Sequence, residues 1–290
     1  MHKIQLSLFH RTAWIVLFFI CAIVVTGALV RLTGSGLGCS DWPACNSSNF
    51  VDVSTTHSRI EQINRLFTGV VGVSVVVVIL GAFRLSESRK DLRWLAGGLV
   101  LGVLAQIVLG GVVVLTGLNP FANMGHFALS MFLVGCAVAL VTQSQPKVGI
   151  ETSSVLQDVI ARKLTSVFTG VLALALVGGM VVTGAGPHAG DEDAVRFGIA
   201  ISTAARIHSV LVWLAVFTFL MLVIRVRNTD QLNAVNEGHF RNIFTVMVAQ
   251  GAVGYWQYFT GVPVGLVAVH VGLATLLWAL AFGFWLESRC

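Results

Sequence analysis

The side chains with chemical reach in this sequence are few, and they recur at matched places. Ile60 to Leu66 reads Ile-Glu-Gln-Ile-Asn-Arg-Leu, and at an offset of 144 Ala204 to Val210 reads Ala-Ala-Arg-Ile-His-Ser-Val, so His208 stands in the slot of Asn64. His126 and His270 are related by the same offset of 144. Two neutral imidazoles facing each other across a helix bundle ligate a haem iron axially, in a low-spin b-type arrangement. The alternative for each histidine is a hydrogen bond to a backbone carbonyl between helices. Two histidines at a repeated spacing shift the balance to ligation for His208 and His270. In the first half the same two places hold His126 and Asn64, and an amide is a poor iron ligand beside imidazole. Glu61 precedes Asn64 by three and Arg65 by four, so one helical face carries the carboxylate beside the slot, with Arg65 as its ion-pair partner. Their counterparts are Ala205 and Ser209, which suggests that one half holds a permanent cofactor and the other does the reaction.

The elements that must hold these groups are membrane helices. Of 290 residues 56% are hydrophobic and 11% charged, which excludes a soluble globular domain. A spanning helix takes roughly 20 apolar residues, and eight runs qualify, at about 12–30, 63–83, 95–116, 123–142, 165–183, 204–224, 241–260 and 264–285. Lys3 and Arg11 precede the first run, but it is too long for a signal peptide and no small-x-small cleavage site follows, so an uncleaved helix is expected. The net charge of +5 sets topology and does not recruit nucleic acid. With alternating spans Arg11, Arg84, Arg93, Lys147, Arg162 and Arg225 share one side, cytoplasmic by the positive-inside rule. The chain is then expected to cross the cell membrane repeatedly, in contact with its lipid, with both termini cytoplasmic and the loops 31–62 and 184–203 facing out.

Ala105-Gln106, Gly110 and Thr116-Gly117 return as Ala249-Gln250, Gly254 and Thr260-Gly261, again at 144. One offset across three spans points to a duplicated four-helix unit. The expected fold is an all-α membrane protein of eight helices, two tandem four-helix bundles related by a pseudo-two-fold along the membrane normal. Residues 1–142 form the first half, 143–163 a cytoplasmic linker containing Pro146, and 164–290 the second half. The first spans align at a different offset, Val25-Thr26-Gly27-Ala28 with Val182-Thr183-Gly184-Ala185, which leaves 13 extra residues in the first external loop. That loop carries Cys39 and Cys45, where oxidising surroundings permit a disulfide. A zinc site is the rival, but no second Cys or His pair completes four ligands. Cys21, Cys136 and Cys290 read as inert thiols.

Small residues leave room for a flat macrocycle: Ala204, Ala205 and Ser209 around His208, Gly265, Ala268 and Ala274 around His270, and Asn64, Thr68 and Gly72 on one face of the first half. Ordinary small-residue helix packing accounts for the same pattern equally well. Arg31, Arg59, Arg65 and Arg206 stand at the outer ends of spans, either to pair with haem propionates or to snorkel to the interface. Gln106 and Gln250 read as interhelical hydrogen-bond donors.

With these residues in place the chain resembles the haem A synthase family over nearly its whole length. The resemblance is carried by eight spans in two halves, Thr-Gly-Ala-Leu-Val-Arg-Leu-Thr-Gly-Ser-Gly-Leu-Gly-Cys at 26–39, the Cys-x5-Cys loop, Glu61, and Thr-Gly-Ala-Gly-Pro-His-Ala-Gly-Asp at 183–191. It implies an oxidoreductase that converts the methyl group of haem O to the formyl group of haem A by successive hydroxylations, for assembly of the terminal oxidase. It also implies a haem b cofactor on His208 and His270, and haem O as the substrate at His126 with Asn64 and Arg65 beside it. Glu61 would be catalytic, stabilising positive charge at the macrocycle edge or acting as a base toward water. Haem O synthase and oxidase assembly factors are the implied partners; the electron acceptor and any homo-oligomer are left open.

Two departures stand out. The family's Glu-x-x-His is here Glu61-Gln62-Ile63-Asn64, so Asn64 either hydrogen-bonds a water on iron or leaves that face open, with His57 a weaker substitute ligand. The second cysteine pair of many members is missing from residues 184–203, which excludes an electron route that needs both pairs. Two other classes fit part of the pattern. A quinol-oxidising di-haem cytochrome b would hold two permanent haems and modify neither. A transporter would use parallel repeats, but the polar groups here cluster at helix mouths and not at the midplane.

Overall fold

The computed structural model describes residues 3–145, 156–229 and 231–289. Pro146, Lys147 and Cys290, and with them much of the linker expected at 143–163, lie outside the described residues. The rest folds into α1 (Leu6–Leu32), α2 (Thr56–Phe83), α3 (Lys90–Leu115), α4 (Pro120–Ser144), α5 (Val159–Ala185), α6 (Ile201–Asn228), α7 (Ala234–Phe259) and α8 (Val264–Glu287). Among the described residues there is no strand, only an isolated bridge between Ile4 and Leu85. From 24 residues in α8 to 28 in α2, the helices are roughly 36–42 Å long at 1.5 Å per residue, enough to cross a hydrocarbon core of about 30 Å. Seven are also apolar enough to do so, and the chain is a multi-pass membrane protein. The eighth, α7, is 26 residues long, but Asn236, Glu237, His239, Arg241 and Asn242 in its first turns make it less apolar than its neighbours.

Seven helices start earlier than hydropathy alone predicts, and at α2, α4, α5 and α7 a polar side chain caps the added turns. Thr55 and Ser58 form a capping box at α2, the Ser58 amide donating to Thr55 Oγ1 at 3.0 Å. The box satisfies amides that would otherwise lack partners. Glu61, Asn64 and Arg65 are thereby seated inside a regular helix and not in its entry loop. Asn119 caps α4 ahead of Pro120, the favoured place for a residue without an N–H. Asp158 caps α5 through the Ala161 amide at 2.7 Å.

In the first half α1 packs on α2 and α4, α2 on α3, and α3 on α4; in the second, α5 packs on α6 and α8, and α7 on α8. The halves meet through α4 against α8, flanked by α1 with α8 and α4 with α5. Trp278 of α8 donates its indole N–H to the Met131 carbonyl of α4 at 2.9 Å, and Phe282 lies against Gly135. One pair breaks the symmetry: α2 and α3 pack closely, and α6 and α7 have no comparable approach among the described residues.

Each half buries a dense plug at the same end of its helices. Phe9, Val78, Leu92, Leu99 and Leu140 build the first, and Phe168, Phe219, Leu222, Ile243 and Phe284 the second. Large side chains close that end, whereas glycine, small and polar residues populate the other. The bundle is solid at one end and hollow at the other.

Candidate functional site

The hollow end encloses a cavity of about 1350 Å³, larger than the roughly 300–1,000 Å³ of a single-ligand pocket. Both halves line it. His208 and His270 face each other at its second-half end, ring centres 6.5 Å apart and ring planes at 78°. Imidazoles bonded to one metal at about 2 Å have ring centres roughly 6–6.5 Å apart, so the pair has the spacing to hold a metal between its rings. His208 Nδ1 donates to the Ala175 carbonyl at 2.9 Å, which leaves Nε2 as the bare, ligand-type nitrogen of the neutral ring. His270 Nε2 lies 3.2 Å from Gln250 Nε2, while its Nδ1 is buried with no partner. Among the described residues no cluster of three or more His, Cys, Asp or Glu side chains stands ready for a bare metal ion. Two imidazoles instead suit an iron that already has four ligands from a macrocycle.

Glycines make the room for these rings. A β-carbon on Gly254 of α7 would lie 2.9 Å from His270 Cε1, and one on Gly178 or Gly179 of α5 would lie 3.4 Å from the His208 ring. In the first half Gly110 of α3 stands in the same relation to His126, 3.4 Å from Cε1. Gln106 Nε2 donates to the His126 carbonyl at 3.0 Å and to Ser130 Oγ at 2.6 Å. His126 Nδ1, Asn64 Oδ1 and Gln106 Oε1 are buried without partners, an expensive condition for polar atoms unless a ligand completes them.

Glu61, 5% exposed, also lines the cavity. Its Oε2 accepts from the Cys39 amide at 2.8 Å, and its Oε1 accepts from Arg65 at 2.7 and 3.0 Å. Arg65 goes on to donate to the carbonyls of Asp41, Pro43 and Ala44, so its guanidinium clamps the first loop onto α2. Cys39 and Cys45 form a disulfide within that loop. Between them Trp42 swings onto α3, so close to Gly111 that a β-carbon there would sit 2.7 Å from the indole. The loops of the two halves are tied together as well: Gly36 donates to the Gly190 carbonyl at 2.9 Å and Arg31 to the His188 carbonyl at 2.6 Å, while His188 in turn donates to the Val262 carbonyl within the second half at 2.8 Å.

The structure brings Glu61, Asn64, Arg65, His126, His208 and His270 to one cavity, together with Arg31 and Arg206. Arg59 is elsewhere, exposed and directed at the Val53 carbonyl. His57, the weaker substitute ligand, is exposed at the start of α2, bonded to Ser35 Oγ at 2.9 Å and absent from the cavity wall. Of the small residues, Asn64, Thr68, Gly72, Ala205, Ser209 and Ala274 line the cavity, and Ala204, Gly265 and Ala268 do not.

The model of the family described as cytochrome oxidase assembly protein (COX15-CtaA) matches residues 10–62 and 51–282. The chain belongs to this family, that of the haem A synthases. Its relatives include the haem A synthase of Listeria welshimeri, 36% identical over 132 residues, which are 44% of this chain and 43% of that protein. The haem A synthase of Lysinibacillus sphaericus is 34% identical over 119 residues, 41% of this chain and 39% of the relative. That of Geobacillus kaustophilus is 32% identical over 119 residues, 41% and 38% of the two chains. The chain thus matches about two-fifths of the length of these relatives.

Sequence reasoning overlooked Trp42 as a wall of the cavity and Gly178 and Gly179 as the space behind His208. It recorded Gly110 and Gly254 only as markers of the repeat. Their shared offset from the histidines was the available signal, because a glycine kept at one place beside a bulky ring in both copies implies close approach.

Proposed function

We propose that this protein is a haem A synthase, oxidising the haem O methyl group to a formyl group for the terminal oxidase. The net change, RCH3 + H2O → RCHO + 4H+ + 4e−, adds one oxygen atom and removes four electrons, and successive hydroxylations carry it out with an electron acceptor. The observation that carries the reading is one cavity lined by two facing imidazoles from the second half and by an imidazole and a buried carboxylate from the first. His208 and His270 would hold haem b, which supplies reversible one-electron chemetry as a relay when bound. His126 would hold haem O between α2 and α4, so residues 1–142 are the substrate half and 164–290 the cofactor half.

Within the first half, Glu61 presents a fixed negative charge to the cavity. Both its oxygens are already engaged by donors, which favours electrostatic stabilisation of charge at the substrate's edge over removal of a proton. Arg65 orients Glu61 and holds the disulfide loop over the cavity, excluding water from it. Arg31 and Arg206, both on the cavity wall, are the candidates to meet substrate or cofactor carboxylates. The solid end, with Arg84, Arg93 and Arg225, faces the cytoplasm in this reading, and haem O synthase and oxidase assembly factors deliver and collect the pigment.

The test is to extract pigment from the purified protein and identify it by mass. Haem O or haem A beside haem b is expected; haem b alone would favour a di-haem electron carrier, and no haem would overturn both.

A further inference from the structure

We infer that the first half holds its haem through His126 alone and keeps the opposite face of the iron open to a small ligand, which the Asn64 amide hydrogen-bonds. The inference rests on the proposed seat of haem O in that half. Positions 64 and 126 are the repeat counterparts of 208 and 270, and Asn64 and His126 line the cavity from α2 and α4 as His208 and His270 line it from α6 and α8. The difference extends beyond one side chain. Gly110 lies against His126 as Gly254 lies against His270, more closely in the second half. Behind His208 the space comes from Gly178 and Gly179, whose counterparts in α1, aligned through Val25–Ala28 and Val182–Ala185, are Cys21 and Ala22. Slot 64 therefore lacks the imidazole, and side chains stand where the second half has glycines.

The elements around slot 64 supply no other imidazole, thiolate or thioether to the cavity, and His188, which lines it from the loop after α5, is engaged with the Val262 carbonyl. Among the described residues of α1, α2, α3 and the loop between α1 and α2, no His, Cys or Met lines the cavity. Asn64 lines it, with its Oδ1 buried and unpartnered. The amide is shorter than an imidazole and binds iron poorly, but it carries N–H donors and a carbonyl acceptor. A residue of that kind leaves a coordination position open and stabilises a small polar ligand placed there. The second half, with imidazoles on both sides, has no such position.

Carbon monoxide is the probe, added to the reduced, haem-loaded full-length protein. One of the two haems should bind it, and the spectrum of the haem on His208 and His270 should not change. Asn64→His paired with Ala22→Gly should close the position, abolishing carbon monoxide binding and turning the first-half haem low-spin. Asn64→Leu should keep binding but raise the C–O stretching frequency as the hydrogen bond is lost. A wild-type protein with two haems and no carbon monoxide binding would overturn the open position, and an unchanged frequency in Asn64→Leu would overturn the role of the amide. His126→Ala separates the two levels. If it leaves both haems bound, the seat of haem O has failed; if it removes one while the wild type refuses carbon monoxide, only the open position has failed.

Discussion

The two halves are copies that kept the same frame and diverged at the cavity. Each packs a dense apolar plug at one end and opens at the other, and each sets a glycine of its third helix behind a histidine of its fourth. Around that shared frame the second half keeps two imidazoles and little other chemistry. The first half has an amide in place of one imidazole, and it adds a buried carboxylate, its guanidinium partner and a disulfide loop. Saturating both faces of an iron suits electron transfer, whereas a free face and an adjacent fixed charge suit a reaction. On the proposed function, the difference teaches that one copy of a repeated bundle can be turned from holding a cofactor to reacting with one by an amide in place of an imidazole and a nearby group that stabilises charge.

The comparison can be broken most severely at His208. In His208→Ala the low-spin haem b spectrum should vanish completely, as read from reduced-minus-oxidised difference spectra; a retained signal would mean the two halves have been assigned the wrong way round. Next, Glu61→Gln should lower formyl product by on the order of 10²–10³, the range seen when one electrostatic contact to a developing charge is removed. Haem b content measured on the same sample should stay at the wild-type level, so that loss is confined to the first half.

The glycines sharpen the comparison at smaller scale. Gly254→Ala pushes a β-carbon to 2.9 Å from the His270 ring, whereas Gly110→Ala meets the His126 ring at 3.4 Å. Overpacking costs about 1–3 kcal/mol, so Gly254→Ala should lower the thermal midpoint and disturb the haem b spectrum, and Gly110→Ala should do less of both. Smallest is a contact at the solid end of the second half. Arg225 and the α5 backbone amides hold the Asp158 carboxyl well below its usual range, at about 2. A depressed folded-state value means that the contribution is present above the unfolded value of 3.8 and is lost as pH falls toward about 2. Asp158→Asn should lower the thermal midpoint slightly at pH 7, by an amount that shrinks in acid; a constant difference at every pH would show that the cap and not the charge is responsible.

Much of this arrangement was legible in the letters. Membrane helices announce themselves because a bilayer admits a backbone only when its hydrogen bonds are closed within the segment, so long apolar runs have one stable solution. The duplication was legible because Asn64 and His208, His126 and His270, and the Gln106 and Gln250 segments share one offset. The cysteine pair at spacing six read as a disulfide and is one. Arg65 was only half legible: helical spacing gave its pairing with Glu61, but its grip on the loop carbonyls depends on a loop path that no periodicity encodes. His57 shows the same limit, since its distance from the cavity follows from where the Thr55 cap starts α2.

The sequence by itself determined the membrane class, the repeated spacing and the small set of imidazole and charged side chains within the helices, because these depend on hydropathy and on spacing along single helices. Only the tertiary structure decided that the groups converge on one cavity, that His208 and His270 face each other at 6.5 Å, and that glycines from neighbouring helices clear the space behind the rings. Such contacts join residues far apart in the chain, and helix packing, including whether α6 lies close to α7 as α2 does to α3, sets them.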